Sequence, residues 1–208
     1  MSKILFIKAN DRPADQAISS KMYETFITTY KEANSNEDIT ELDLFNLDLP
    51  YFGNTAITGG YKRSQGLELT AEEEKAVNIV EQYLNQFLAA KKVVFAFPLW
   101  NLTVPAPLIT YISYLFQAGK TFKYTDKGLV GLAGDKKVAL LNARGSDYSS
   151  EQMAPMEMGV NYVKNVLAFW GIKNPEIVVI EGHNQYSDRA QDIIADGLEN
   201  VAKVAEEF

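Results

Sequence analysis

Three short stretches combine residues that bind polar groups with residues that interrupt secondary structure. The first is Val93-Val94-Phe95-Ala96-Phe97-Pro98-Leu99-Trp100-Asn101-Leu102-Thr103-Val104-Pro105-Ala106-Pro107, an apolar run that opens into a loop bracketed by three prolines. Proline stops a strand ladder and stiffens the chain, so the N–H groups between those prolines cannot all enter secondary structure. Free donors beside an indole suit a planar, polar ligand; an ordinary strand-to-helix connection is the other reading. The second stretch is Ala9-Asn10-Asp11-Arg12-Pro13-Ala14-Asp15-Gln16-Ala17-Ile18-Ser19-Ser20, which leads into a helix. First-turn amides with the Ser19 hydroxyl can bind a phosphate monoester without any lysine, and plain helix capping is the alternative. The charge of Asp15 opposes a phosphate, so Asp15 is expected to point away or to cap the helix. The third is Asn142-Ala143-Arg144-Gly145-Ser146-Asp147-Tyr148-Ser149, where Gly145 permits close approach or positive φ.

These stretches need a scaffold that brings them together. Strand-like apolar runs occupy residues 4–7, 93–97, 138–141 and 177–180, with a weaker one at 39–44. Each strong run is followed by a loop and then a helical pattern. Ile18, Met22, Phe26 and Tyr30 mark one helix face. Thr70 with Glu73 forms a capping box ahead of Ala76, Val77, Val80, Tyr83, Leu84, Phe87 and Leu88. Tyr162 to Trp170 carries another helix, ending at Gly171, and Ile193 to Phe208 the last. Alternation of this kind predicts an α/β protein of three layers, a flavodoxin-like sandwich with a five-stranded parallel sheet in the order 2-1-3-4-5 and helices on both faces. Ligands of such sheets lie beyond the carboxyl ends of the strands, where all three stretches fall. Residues 45–69 are read as a long connection, either a lid or a floppy excursion. The helix from Pro107 is apolar on nearly every side, leaving Thr110 and Ser113 for water. A second subunit is the expected cover for the rest, with the chain's own segment 117–134 as the alternative.

Composition narrows the chemistry. A chain of 208 residues with 47% hydrophobic residues and no linker-like tract is expected to form one domain over 1–208. Its apolar runs are too short to span a bilayer, and no signal-peptide pattern follows Met1. The absence of cysteine excludes disulfides and thiolate-held metal centres and fits the cytoplasm. A net charge of -7 argues against nucleic acid and for small-molecule partners. No G-x-G-x-x-G follows the first strand, no G-x-S-x-G elbow exists, and Gly119-Lys120-Thr121 follows a helix instead of opening one. His183, the single histidine, is read as structural or solvent-facing. A loop for phosphate, a loop with Trp100 and Asn101, and a glycine turn together describe a site for flavin mononucleotide (FMN). Fixed N–H dipoles at the pyrimidine edge of such a ring stabilise the negative charge that grows there on reduction.

On these residues the chain resembles the FMN-dependent NADH-azoreductases, also called FMN-dependent NADH:quinone oxidoreductases, of the flavodoxin-like superfamily, over essentially all 208 residues. Pro98-Leu99-Trp100-Asn101-Leu102 is similar to the family's P-M-[WY]-N-F. Ala118-Gly119-Lys120-Thr121-Phe122-Lys123-Tyr124-Thr125 is similar to its A-G-x-T-F-[KR]-Y-T. Gly145, in a loop where the family has G-G, and Gly171-Ile172 support the match. Ala17-Ile18-Ser19 departs from the family's S-x-S, Leu99 and Leu102 stand for Met and Phe, and Ser146 replaces the second glycine.

The resemblance implies flavin contacts at Asn10, Ile18 and Ser19, at Pro98, Leu99, Trp100, Asn101 and Leu102, and at Ala143, Arg144, Gly145 and Ser146. It implies a substrate or nicotinamide side at Phe122, Tyr124 and Tyr148, with core packing and loop exposure as the plainer readings of Phe122 and Tyr148. No side chain is expected to act as a nucleophile, because the flavin carries the hydride. The implied activity is two-electron reduction of quinones and reductive cleavage of azo compounds, with NADH or NADPH as donor, by a ping-pong scheme in a cytoplasmic homodimer. A flavodoxin-type electron carrier docking protein partners is the competing class, and a flavin-free member of the fold is a third.

Overall fold

A computed structural model describes residues 3–35 and 37–208. The strands β1 (Lys3–Lys8), β2 (Asp38–Asp43), β3 (Lys92–Pro98), β6 (Lys137–Arg144) and β7 (Glu176–Glu181) form one parallel sheet in the order β2-β1-β3-β6-β7, the expected arrangement. The central strands read as unbroken apolar runs because helices cover both of their faces. On one face α1 (Ile18–Ala33) and α6 (Ala190–Glu207) pack over Phe6, Val94, Leu141 and Val178. On the other, α3 (Ala71–Ala89), α4 (Ala106–Leu115) and α5 (Gly159–Phe169) pack over Ile7, Phe95 and Leu140. The Thr70–Glu73 capping box at the start of α3 is formed in both directions.

Two expectations are corrected. Residues 45–69 are neither lid nor floppy excursion: they contain α2 (Asn54–Ser64), pinned to α3 by Lys62–Glu73 at 2.8 Å and Arg63–Glu81 at 2.6 Å. Gly59 makes that pairing possible, since a Cβ there would stand 2.7 Å from Val77 Cγ2. The Lys62 ammonium in turn holds the Glu73 carboxyl below its ordinary pKa. The helix beginning near Pro107 is covered by its own chain. Leu108, Tyr111, Ile112, Tyr114 and Leu115 share a core with Val80, Tyr83, Leu84, Phe122 and Trp170. Thr110 is buried with them, and of the helix's large apolar side chains only Ile109 and the following Phe116 stay notably open, at 40% and 36% exposure. This helix therefore calls for no second subunit.

Residues 117–134, the alternative cover for that helix, supply Phe122 to its core and contain a hairpin, β4 (Phe122–Thr125) with β5 (Gly128–Gly131). Thr121 Oγ1 donates to Leu115 O at 2.7 Å, tying the hairpin to the end of α4. At its other side Gly131 meets Gly171 backbone to backbone, and Ala133 N donates to Trp170 O at 2.9 Å. Gly171 also ends α5 with φ 92°, a left-handed conformation that disfavours any side chain.

Candidate functional site

Beyond the carboxyl ends of β1, β3, β6 and β7 lies a cavity of about 540 Å³, within the range of small-molecule sites. Its first wall is the connection from β1 to α1. Asn10, 2% exposed, donates from Nδ2 to Ser19 Oγ at 2.8 Å and accepts from Arg12 N at 2.9 Å; Ser20 Oγ donates to Arg12 O at 2.7 Å. Because Ser19 Oγ is already an acceptor to Asn10, its own proton is free to be donated outward. The N-cap of α1 is Ala17, whose side chain cannot cap, and the first turn holds no acid. The N–H groups of Ile18, Ser19 and Ser20 thus lack intrahelical acceptors and face the positive end of the helix dipole. Asp15 does not cap α1; it is exposed and lines the cavity with Arg12, Gln16 and Ala17.

The second wall follows β3. Leu99 N continues the ladder to Ala143 O at 2.9 Å, and Trp100 and Thr103 exchange backbone hydrogen bonds of 2.9 and 3.1 Å. Between them Asn101 and Leu102 sit at φ 51° and 69°. Two successive positive φ values define a type I′ turn, which non-glycine residues adopt at a cost. The N–H groups of Asn101 and Leu102 have no acceptor among the described residues. The turn is braced from outside: Met158 N donates to Leu102 O at 3.0 Å, and a Cβ on Gly159 would press on Leu99 Cδ1 at 2.8 Å. Glu157, 5% exposed, accepts from the N–H groups of Gly159, Val160 and Asn161 and fixes the start of α5.

The third wall follows β6. Arg144 Nε donates to Glu181 at 2.8 Å, an Nη1 lies 3.6 Å from Glu157, and the guanidinium stands 5.4 Å from the Tyr148 ring centroid. Gly145 leaves no room for a Cβ, because the Asn184 side chain lies against it; its carbonyl accepts from Asn184 N and Gln185 N. The N–H groups of Gly145 and Ser146 have no acceptor among the described residues. Asp147 accepts from the Ser149 hydroxyl and backbone and from the Tyr186 hydroxyl, which keeps its carboxyl below the ordinary range.

Of the residues singled out from sequence, Asn10, Ile18, Ser19, Pro98, Leu99, Trp100, Ala143, Arg144 and Gly145 line this one cavity. Asn101, Leu102 and Ser146 adjoin it along the chain without lining it. Phe122, Tyr124 and Tyr148 are not brought to it within one chain: Phe122 is buried against Phe116 and Phe169, and Tyr124 is 72% exposed on the hairpin. Sequence reasoning missed His183, Asn184, Ala190 and Ile194, which close the cavity from the β7–α6 connection. Their signal was positional, since that connection also leaves a carboxyl strand end. The donor set fits FMN: helix-end amides and a hydroxyl proton suit a phosphate, and the Trp100 indole and the unpaired N–H of Gly145 in the wall, with those of Asn101, Leu102 and Ser146 adjoining it, suit a flat ring edge. Among the described residues no cluster of metal-ligating side chains occurs and no helix is long and apolar enough to cross a membrane.

The comparisons bear on the family and the fold. The sequence profile described as flavodoxin-like fold matches residues 2–205. An FMN-dependent NADH:quinone oxidoreductase 2 of Bacillus anthracis is 79% identical over all of both chains. The crystal structure of an azoreductase from Bacillus anthracis str. Sterne superposes with a TM-score of 0.97 at 59% identity, covering all of both chains. An FMN-dependent NADH-azoreductase from Bacillus anthracis str. Ames Ancestor, solved in complex with FMN, superposes with a TM-score of 0.86 at 28% identity, over 99% of this chain and 100% of the other.

Proposed function

The chain belongs to the flavodoxin-like fold family matched over residues 2–205, and from that premise we propose that it is an FMN-dependent NADH:quinone oxidoreductase that also cleaves azo compounds reductively. The observation that carries this reading is one cavity with unpaired donors at two chemically different ends. FMN, when bound, would supply the redox chemistry: two electrons from one NADH for each quinone reduced, and four electrons from two NADH in successive turnovers for each azo bond cleaved to two amines.

The chain's own residues bind, orient and exclude. The amides of Ile18, Ser19 and Ser20 and the Ser19 hydroxyl hold the phosphate, with Asn10 fixing that hydroxyl's direction. Pro98, Leu99 and Trp100 form a wall for the ring. The N–H groups of Asn101, Leu102, Gly145 and Ser146 face its polar edge, with Ala143 and Arg144 beneath. Fixed dipoles at that edge favour the reduced, more negative state without reorganising.

The working form is a cytoplasmic homodimer of single-domain chains spanning 1–208. In it, Phe122, Tyr124 and Tyr148 belong to the substrate side, and the exposed Tyr124 reaches the cavity of the second copy. The exposed apolar side chains Tyr51, Tyr61 and Tyr124, at 90%, 64% and 72%, support an interface between copies. NADPH is the alternative donor.

Purified protein is expected to quench FMN fluorescence saturably and to oxidise NADH steadily with menadione as sole acceptor. Parallel double-reciprocal lines are expected for the two substrates, because both half-reactions use one pocket. Intersecting lines overturn the ping-pong scheme, and a need for a separate reductase returns the protein to the electron carriers. Sedimentation at micromolar concentration checks the dimer, and a monomer there removes it.

A further inference from the structure

The β7–α6 connection is a fourth wall of the cavity, and His183 is the residue on it with chemistry to offer. It is the chain's single histidine, it lines the cavity, and it makes no hydrogen bond among the described residues. Its Nδ1 is shut off from solvent without a partner, and burial pushes the imidazole pKa down. The ring is therefore neutral at pH 7 and carries one N–H. A buried N–H without an acceptor is rarer, and costs more, than a buried lone pair, so the proton belongs on Nε2. That leaves Nε2–H as the ring's working donor.

This wall adjoins both the Gly145 turn, against which Asn184 packs, and the α1 side of the cavity. His183 and Asn184 precede α6, which packs beside α1 on one face of the sheet. The first turns of both helices, through Ile18, Ser19, Ala190 and Ile194, line the cavity. The Trp100 turn instead leads into α4 on the opposite face. The charged groups around this wall are Arg12 and Asp15 on the β1–α1 connection, Arg144 paired with Glu181, Asp147 beside Gly182, and Asp188 and Arg189 ahead of α6. None of them makes a hydrogen bond or ion pair with the imidazole. We infer that His183 is a neutral Nε2–H donor to the phosphate end of the bound cofactor, a positioning contact added to the α1 amides. This rests on the FMN reading above.

One histidine gives one imidazole signal set in long-range proton–nitrogen spectra of the full chain. With FMN removed, the pattern of a ring protonated at Nε2 is expected at pH 7. A phosphate brought to it favours the charged ring, so FMN is expected to raise its titration midpoint by about one pH unit or more. Riboflavin, which lacks the phosphate, is expected to leave it unmoved. A ring protonated at Nδ1, or an equal shift with riboflavin, overturns the inference.

His183→Leu is expected to weaken FMN about tenfold with riboflavin affinity unchanged, while His183→Gln, which keeps an N–H near Nε2, retains most of the FMN affinity. Equal loss of both ligands in His183→Leu overturns the contact. If wild-type protein shows no saturable FMN binding, the functional reading itself falls. If wild type binds and His183→Leu binds equally well, only this inference falls.

Discussion

At the α1 end of the cavity the unpaired N–H groups come from a regular helix with relaxed dihedrals, whereas at the Trp100 end they come from a turn that holds Asn101 and Leu102 at positive φ. The helix end needs little support: every α-helix leaves its first amides unpaired, and here it is enough that Ala17 cannot cap them. The turn needs bracing, and it has it from Met158, Gly159 and the Glu157–Arg144 pair. Donors for an anion are thus available from secondary structure itself, while donors for a flat ring edge require strain held in place by neighbours.

The largest effect is expected from removing the brace. Glu157→Ala deletes a buried carboxylate that accepts three backbone N–H groups and leaves Arg144 half-paired. A loss of about 3 kcal/mol is expected, read as a fall of roughly 6–12 °C in thermal midpoint. If the midpoint holds, the turn is not braced by α5. Next is Ala17→Asp, which sets the two properties of the helix end against each other. The new carboxylate caps α1 and stabilises FMN-free protein by about 1 kcal/mol, yet it takes the amides and repels phosphate, weakening FMN about 100-fold. Ala17→Ser is expected instead to tighten FMN about fivefold through one added hydroxyl contact. Calorimetry and flavin titration on the same samples separate stability from binding. The smallest effect is expected from Leu102→Gly, which relieves the positive φ and stabilises by about 1 kcal/mol or less, seen as a rise of a few degrees. A fall would show that the Leu102 side chain contributes more than its backbone costs.

The sheet was legible because its central strands are continuously apolar, and the helix over residues 71–89 because Thr70 and Glu73 mark its start. The α1 end of the site was legible for the same reason: an uncapped helix start after a strand is a local signal. The Trp100 turn was visible only as a proline-bracketed loop, since its positive φ values belong to Asn101 and Leu102, types that do not announce them. The hairpin at 122–131 was missed although Asp126-Lys127-Gly128 is turn-like, because its strands are four residues each, with Lys123 inside β4 and a glycine at each end of β5. The cover of α4 was misjudged because it is tertiary, coming from α3, Phe122 and Trp170 together. His183 was set aside for want of neighbours in sequence; its neighbours come from other strands. Its lowered pKa also has a consequence for stability. Between the folded value and about 6.5 the unfolded chain binds the extra proton, so this contribution is present above that window and is lost as pH falls through it.

The backbone contact between Gly131 and Gly171 gives α5 a mechanical role. Its amino end is locked to the strained turn through Glu157 and Gly159, and its carboxyl end to the hairpin that carries Tyr124. Eleven residues of helix make a strut of about 16 Å between the turn and the hairpin. A Cβ on Gly131 would collide with Gly171 N and one on Gly171 would stand 3.2 Å from Gly131 C, so neither glycine can gain a side chain without opening the joint between strut and hairpin.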